Sequence, residues 1–387
     1  MAGPGRAMTG TAEPGANAAN NLISGGDAPS RPSRALTWLQ RNLFSSIGNT
    51  VLTLAVVAGI ALVVPPLFRW AVTDATLWGV SKSACVGDGA CWAFIRMRVP
   101  IFIFGLFPPD QRWRVVLAFV LLVGFAIPVL RETTHHRWVY TVALITLFPL
   151  LAGGLLVGGF AGLPFVDTNL WGGLMLDVTI SFVAVAGSLP LGIILAFGRR
   201  SQLVVVRTLS VCFIELWRGV PLLTVLFMAA VMLPLFLPHG ITVDRLIRAM
   251  VALVLFNAAY MAEIVRGGLQ GVEEGQEEAA ASLGLSWLHM QGFVVLPQAM
   301  RIVVPGIINT VVDLFKDTTL VTIVGLSDLL GMVDQALKDP AWLGLAKEGY
   351  AFTALVFFVC CFAMSAYGRS VERHLHRGHT TVRGGVV

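Results

Sequence analysis

Long apolar runs separated by short charged stretches dominate the chain. Eight of them reach or approach the roughly 20 residues needed to cross a bilayer core. They are Ile47–Phe68, then 115–130, 138–160, 174–197, 222–237, 250–264, 302–324 and 350–367. None alternates with period two, so the pattern predicts membrane-spanning helices rather than a β-barrel. A ninth apolar piece, 99–107, is too short to cross and runs into Pro108-Pro109; it reads as interfacial or re-entrant. The first 35 residues are rich in Gly, Ala, Pro, Ser and Asn, and residues 1–44 are expected to form a disordered tail. They do not read as a signal peptide, because the first apolar run is long enough to stay as an anchor.

Composition agrees with this pattern. Of 387 residues, 56% are hydrophobic and 13% are charged, against about 25% charged in soluble domains. A soluble enzyme, a collagen-like chain and a disordered chain are excluded on that ground. The net charge of +5 reads as membrane-flanking loop charge rather than nucleic-acid binding. Lys and Arg placement sets the expected orientation. With a cytoplasmic N-terminus, the inner segments hold Arg31, Arg34 and Arg41, then Arg131 and Arg137, then Arg199, Arg200 and Arg207. They continue with Arg266 and Arg301, then Arg369, Arg373, Arg377 and Arg383, while the outer loop 161–171 has none. The conflict is the outer loop 69–114, with Arg69, Lys82, Arg96, Arg98, Arg112 and Arg114. Eight spans place both termini in the cytoplasm. Cys85 and Cys91 lie in that outer loop around two glycines, and an oxidising periplasm favours a disulfide between them over free thiols.

Several chemistries are missing. There is no G-x-x-x-x-G-K-[ST], H-E-x-x-H, C-x-x-C or G-x-S-x-G. The chain is therefore expected to carry no nucleotide site, catalytic constellation or cofactor of its own. His135-His136 and the tail histidines His374, His376 and His379 read as basic membrane flanks rather than metal ligands. Charges inside spans are costly and so informative. In three places an acid precedes a base by three residues: Glu215 and Arg218, Glu263 and Arg266, Asp313 and Lys316. That spacing puts both on one helix face. The first two pairs are expected to neutralise each other locally at a membrane interface. The third, with Asp317 and Asp177, lies deeper and is expected to face the bundle interior or an aqueous path; Asp313, Lys316, Asp317, Glu263, Glu215 and Arg218 are candidates for a solute path.

The hydrophilic stretch 266–301 carries the sharpest pattern. Glu277 to Leu283 is rich in Ala and Glu and predicts a helix. Gly284 suits a left-handed helix end, and Ser286 suits the cap of a second helix. Leu285, Leu288, Gly292, Phe293 and Leu296 follow helical spacing. The residues themselves predict an amphipathic helix pair on the membrane surface, bound to lipid or to a partner. The series Glu278-Ala279-Ala280, three residues, Gly284, nine residues, Val294-Val295-Leu296-Pro297 resembles the EAA loop of ABC importer permeases, with Val294 where Ile is usual. Glu215-Leu216-Trp217-Arg218-Gly219-Val220-Pro221 resembles the E-L-x-R-G-T-P segment of the polar amino-acid branch, with Val220 for Thr. Tyr260 to Gly268 and Lys316-Asp317-Thr318-Thr319-Leu320 are similar to its style as well.

The resemblance spans about residues 172–370. It implies an all-α integral membrane protein of about eight transmembrane helices with a type I importer (MetI-like) permease core at 172–370. Residues 45–171 would add N-terminal spans, and 371–387 a cytoplasmic tail. The longer N-terminal half with Cys85, Cys91 and Trp92 resembles the M-type subunit of general L-amino-acid permeases. The implied machine imports polar or general L-amino acids across a bacterial inner membrane. Its other parts would be a periplasmic amino-acid-binding protein, a dimer of ABC ATPase subunits and a second homologous permease forming a heterodimer. Glu278, Ala279, Ala280, Gly284, Leu296 and Pro297 would mark the loop that couples to the ATPase. Two rivals compete. A secondary transporter would need internal repeats, which the sequence lacks, and has no use for the loop. A non-transporting scaffold has no use for Asp313, Lys316 and Asp317 in a span.

Overall fold

The computed structural model describes residues 38–39, 41–131, 134–238, 240 and 242–383, with side chains to residue 373. Most of the tail 1–44, the end of the tail 371–387 and the side chains of His374, His376 and His379 lie outside these residues. The described part of the N-terminal tail, 38–39 and 41–43, is helical rather than irregular.

Two compact units divide between Thr73 and Asp74. The first contains α1 (Ile47–Phe68), which the Ser46 hydroxyl caps by accepting from the Asn49 N–H at 3.2 Å. Its last turns widen into a π-helix at Arg69–Thr73, and none of its residues is buried. An all-round apolar helix of this kind is a lipid-facing span.

The second unit holds α2 (Trp92–Phe104), α3 (Arg112–Leu130), α4 (Arg137–Val157), α5 (Gly173–Arg199) and α6 (Val204–Gly219). It continues with α7 (Leu222–Phe236), α8 (Arg245–Gln270), α9 (Glu274–Ser282), α10 (Leu296–Asp317), α11 (Leu329–Leu337) and α12 (Ala346–Arg383). Seven helices of the described chain are long and apolar enough to cross a membrane, and the count is eight if the two arms of one bent pair together make a span. The most extensive packing is between α5 and α8. Small residues permit it. A Cβ on Gly192 would stand 2.6 Å from Met261 Cβ, and Ala258, Ala259 and Ala262 are wholly buried. Close backbone approach through small residues is how membrane helices gain contact without a hydrophobic driving force.

The bent pair corrects the predicted span 222–237. It is not one straight helix. α6 and α7 meet at 101°, where Gly219, Val220 and Pro221 interrupt them. Pro221 has no N–H to continue the ladder. α7 then loosens into a π-helix at Met228–Met232 ahead of Pro234. α6 itself carries Arg207, Glu215 and Arg218 and buries only Ser210 and Ile214, which hides it from a search for apolar runs.

The piece predicted as interfacial, 99–107, belongs to α2. This helix packs on α5, α11 and α12, with Phe94, Phe102, Met332, Val333 and Trp342 in a shared core. A Cys85–Cys91 disulfide closes the turn before it. Four of the six basic residues that conflict with the orientation rule find partners in this folding. Arg98 pairs with Asp339, Lys82 Nζ donates to the Leu343 carbonyl, and Arg96 lies 3.9 Å from the centre of the Trp78 ring. Arg114 is fully buried and donates to the Pro164 carbonyl at 3.0 Å. Because α2 packs against α5 and the later helices, packing does not separate the segment before 171 from the segment after it.

Candidate functional site

Two ends of the second unit can be distinguished, one at Arg199 of α5 and one at Gly173. At the Arg199 end α8 stops, and Gly271 leads into α9. Ala280 of α9 is buried, and the neighbouring core joins Ala196, Val265, Leu269, Val295 and Ala299. Arg200 Nη2 lies 3.6 Å from Glu277 Oε1 and its Nη1 donates to the Leu269 carbonyl at 3.4 Å. Gln298 of α10 donates to Gln276 at 3.2 Å. α9 is thus tied to α5, α8 and α10, while Glu278 and Ala279 stay exposed.

Gly284 has φ +78°. The Leu285 N–H reaches the Ala280 carbonyl at 3.3 Å and the Gly284 N–H reaches the Ala281 carbonyl at 2.9 Å. These two bonds form a Schellman end, which needs a left-handed residue where Gly284 stands. A Cβ there would meet nothing within 4 Å. Only backbone conformation and the outer surface bear on that position.

The second helix differs from expectation. Ser286 has the extended backbone of an N-cap, but its hydroxyl bonds His289 Nδ1 at 2.6 Å instead of a backbone N–H. One helical turn, Trp287–His289, passes into a π-helix at Met290–Val295 and then into α10, with Pro297 in its first turn. The apolar stripe points outward. Leu288 and Phe293 are 74% and 75% exposed, and Leu285 and Gly292 are exposed too. Leu296 is half-buried and Pro297 exposed. The buried face is instead Gln291, Val295 and Ala299. Leu283, Trp287, Leu288 and Phe293 therefore form an apolar ledge beside the acidic residues of α9.

Just behind this loop the predicted local pairs become one network. Glu263 does bond Arg266 on its own helix, at 2.8 Å to Nη2 and 3.1 Å to Nε. Glu215 does not pair with Arg218. It accepts from Arg199 Nη1 at 3.0 Å, and that nitrogen also donates to Glu263 Oε1 at 2.8 Å. Arg218 lies 3.8 Å from Glu263 Oε2 and stacks near the Tyr260 ring. In sequence, Arg199 and Arg200 read only as charges flanking the inner end of a span. Their signal was a pair of arginines ending one span at the same level as acids ending the next two.

The third pair does not face the interior of the single chain. Lys316 Nζ bonds Asp313 Oδ1 at 2.8 Å, but the two side chains are 54% and 69% exposed. They lie on the outside of the single chain, in the last turns of α10, and Asp317 is half-buried. Asp177, expected in the bundle interior with them, is fully buried there. It accepts from the Thr318 hydroxyl at 2.7 Å and from the Leu329 N–H at 3.0 Å, so it joins α5 to the ends of α10 and α11. It sits in the turns of α5 nearest Gly173, at the opposite end from the charge network.

Comparison with known proteins is consistent across the chain. Residues 188–377 match the family described as binding-protein-dependent transport system inner membrane component. The chain is 48% identical over 357 residues to the inner membrane amino-acid ABC transporter permease protein YhdY of Escherichia coli (strain K12), covering 91% of this chain and 97% of that protein. It is 37% identical to the glutamate/glutamine/aspartate/asparagine transport system permease protein BztC of Rhodobacter capsulatus, covering 91% and 96% of the two chains. Among solved structures, an amino acid ABC transporter crystallised with histidines is similar at 28% identity and a TM-score of 0.47, over 52% of this chain and 91% of that one.

Proposed function

The chain belongs to the binding-protein-dependent inner-membrane permease family and is the permease component of an amino-acid ABC importer, and from that premise we propose that the 266–301 loop couples it to an ATPase while α10 lines the solute path. The protein is a multi-pass translocation component and not a catalyst. Membership in this family implies an ATPase and a substrate-binding protein as partners. The observation that carries the coupling role is the ledge described above. α9 is braced from behind by Arg200, Gln298 and buried Ala280, while Glu278, Ala279, Leu288 and Phe293 face outward. A braced helix with an exposed apolar and acidic face fits a groove on another protein.

In this reading the Arg199 end is cytoplasmic, both termini are cytoplasmic, and the disulfide end is periplasmic. The family core is 172–370, with 45–171 as an N-terminal addition and 1–44 and 371–387 as tails. Closure of an ATPase dimer moves the loop, and differential contact with the two ATPase states shifts the spans between inward-open and outward-open forms. Asp313, Lys316 and Asp317 line the path at the joint with a second permease. Their exposure on the single chain supports this, since a bare ion pair facing lipid would be costly. The partner is a homologous Q-type chain forming a heterodimer, as for M-type subunits, and the cargo is polar or general L-amino acids. The name of the Rhodobacter relative, which covers glutamate, glutamine, aspartate and asparagine, supports that cargo class.

The deciding experiment is co-purification of the full chain with its genomic neighbours, followed by uptake assays in vesicles. An ATPase, a second permease and ATP-dependent amino-acid uptake are expected. Uptake that survives ATP depletion and collapses with a protonophore would establish a secondary transporter instead.

A further inference from the structure

The five-residue charge network has a shape that the coupling loop alone does not require. Arg199 ends α5, and one guanidinium nitrogen donates to Glu215 of α6 and to Glu263 of α8. Three cations, Arg199, Arg218 and Arg266, surround two anions. Glu263 is 16% exposed and touches all three. Arg266 stands on the same helix as Glu263, so its bonds cannot hold two helices together. Arg218 reaches Glu263 from α6 only at 3.8 Å. Counting hydrogen bonds, Arg199 is the residue of the network that joins α5, α6 and α8 at a single point, while Glu263 touches the same three helices with its contact to α6 stretched to 3.8 Å. The next residue, Arg200, reaches α8 through the Leu269 carbonyl and α9 through Glu277.

We propose that Arg199 is a positioning residue for energy coupling, which locks the ends of α5, α6 and α8 into one body so that displacement of α9 is delivered to all three spans together. The proposal rests on the coupling role of the 266–301 loop. The physical argument is one of rigidity. α8 ends at Gln270, four residues before α9 begins at Glu274, so force on α9 arrives first at the end of α8. With Arg199 in place, that end is tied to α5 and α6 by short charge-assisted bonds. Without it, the packing of α8 on α5 remains, but the end of α6 keeps only the 3.8 Å approach of Arg218 to Glu263, and movement arriving at α8 is passed less completely to the break at Gly219 to Pro221. The charge count keeps the test clean. Removing Arg199 leaves Glu263 with Arg266 and Arg218, so no buried carboxylate is stranded.

The test uses the assembled importer in lipid nanodiscs and proteoliposomes. Arg199→Ala is expected to preserve assembly and basal ATP hydrolysis. Transport per ATP hydrolysed should fall by about two- to thirtyfold, the range for residues that modulate coupling without touching a ligand. Arg199→Lys, whose single ammonium holds one carboxylate, is expected to show a smaller loss. Combining Arg199→Ala with Glu263→Gln should add little beyond the larger single effect, as for residues acting through one contact. Wild-type transport per ATP in Arg199→Ala overturns the proposal. Should the alanine variant fail to assemble, wild-type transport per ATP in Arg199→Lys overturns it equally. Failure of the underlying reading looks different: the unaltered complex would then show no ATP-driven uptake.

Discussion

Gly284 and Asp177 show how single residues set local geometry at opposite ends of the molecule. Gly284 adopts φ +78° to close α9, a conformation that costs most L-residues about 1–2 kcal/mol and Asp somewhat less. Its missing Cβ faces open space. Gly284→Asp should therefore insert and assemble normally, yet place a new carboxylate on the surface offered to the ATPase. Substrate-stimulated ATP hydrolysis by the purified complex is expected to disappear, and normal stimulation would remove the coupling role. Asp177 is the acceptor for Thr318 and for the N–H of Leu329. Asp177→Ala strands the Leu329 N–H, whereas the Thr318 hydroxyl keeps the Phe315 carbonyl at 2.8 Å, and a buried unsatisfied group costs about 1–3 kcal/mol. A lower melting temperature in detergent is expected, with Asp177→Asn, which retains one acceptor, losing less. Gly284 was readable from its place after an Ala- and Glu-rich run. The partners of Asp177 were not, because they are 141 and 152 residues away in sequence.

At the scale of elements, hydrophobic runs identified seven spans and, of the bent pair, only the α7 arm at 222–237. α6 is amphipathic, so no apolar window marks it, and the break at Pro221 makes a span out of two directions. The stripe of Leu288 and Phe293 was visible as a period, but a period does not say which way a face points. Burial of Gln291 and Val295 turned it outward. The disulfide element shows the same limit. Two cysteines in one loop suggested a ring, while the packing of α2 on α11 and α12 came only from folding. Cross-linking a loop this short is worth about 2 kcal/mol in the chain-entropy view. Because Cys91 is buried and Cys85 is partly exposed, the informative variant is Cys91→Ser. It should make Cys85 reactive to a membrane-impermeant maleimide added from outside, whereas the unaltered protein reacts there only after reduction. Equal labelling of the two without reductant would argue that no disulfide forms in the membrane.

On the scale of the whole molecule, the single chain is an incomplete object. Asp313 and Lys316 form an exposed ion pair on a helix that otherwise reads as a span. In the reading proposed above, a second permease would give that pair a water-filled joint to face. Asp313→Asn and Lys316→Met are each expected to cut uptake by about tenfold or more, in line with losing a charged hydrogen bond of about 1.5–3 kcal/mol. Assembly with the ATPase should persist, as judged by co-purification. Unchanged uptake in both variants would place the path elsewhere.

Sequence alone determined the solvent and the class. Scarce charge, spans of bilayer length and the spaced Glu, Ala and Gly of the loop are local properties, legible wherever the chain happens to fold. Local too was the i, i+3 contact of Glu263 with Arg266 and of Asp313 with Lys316. Tertiary structure decided the partners. An arginine carries five donors and no address, and only the convergence of the ends of α5, α6 and α8 turned Glu215 away from Arg218 toward Arg199. Likewise, only packing separated Asp177, buried among three elements, from Asp313, left on the surface. A charge inside a span announces a cost; which neighbour meets that cost depends on distances that sequence order does not encode.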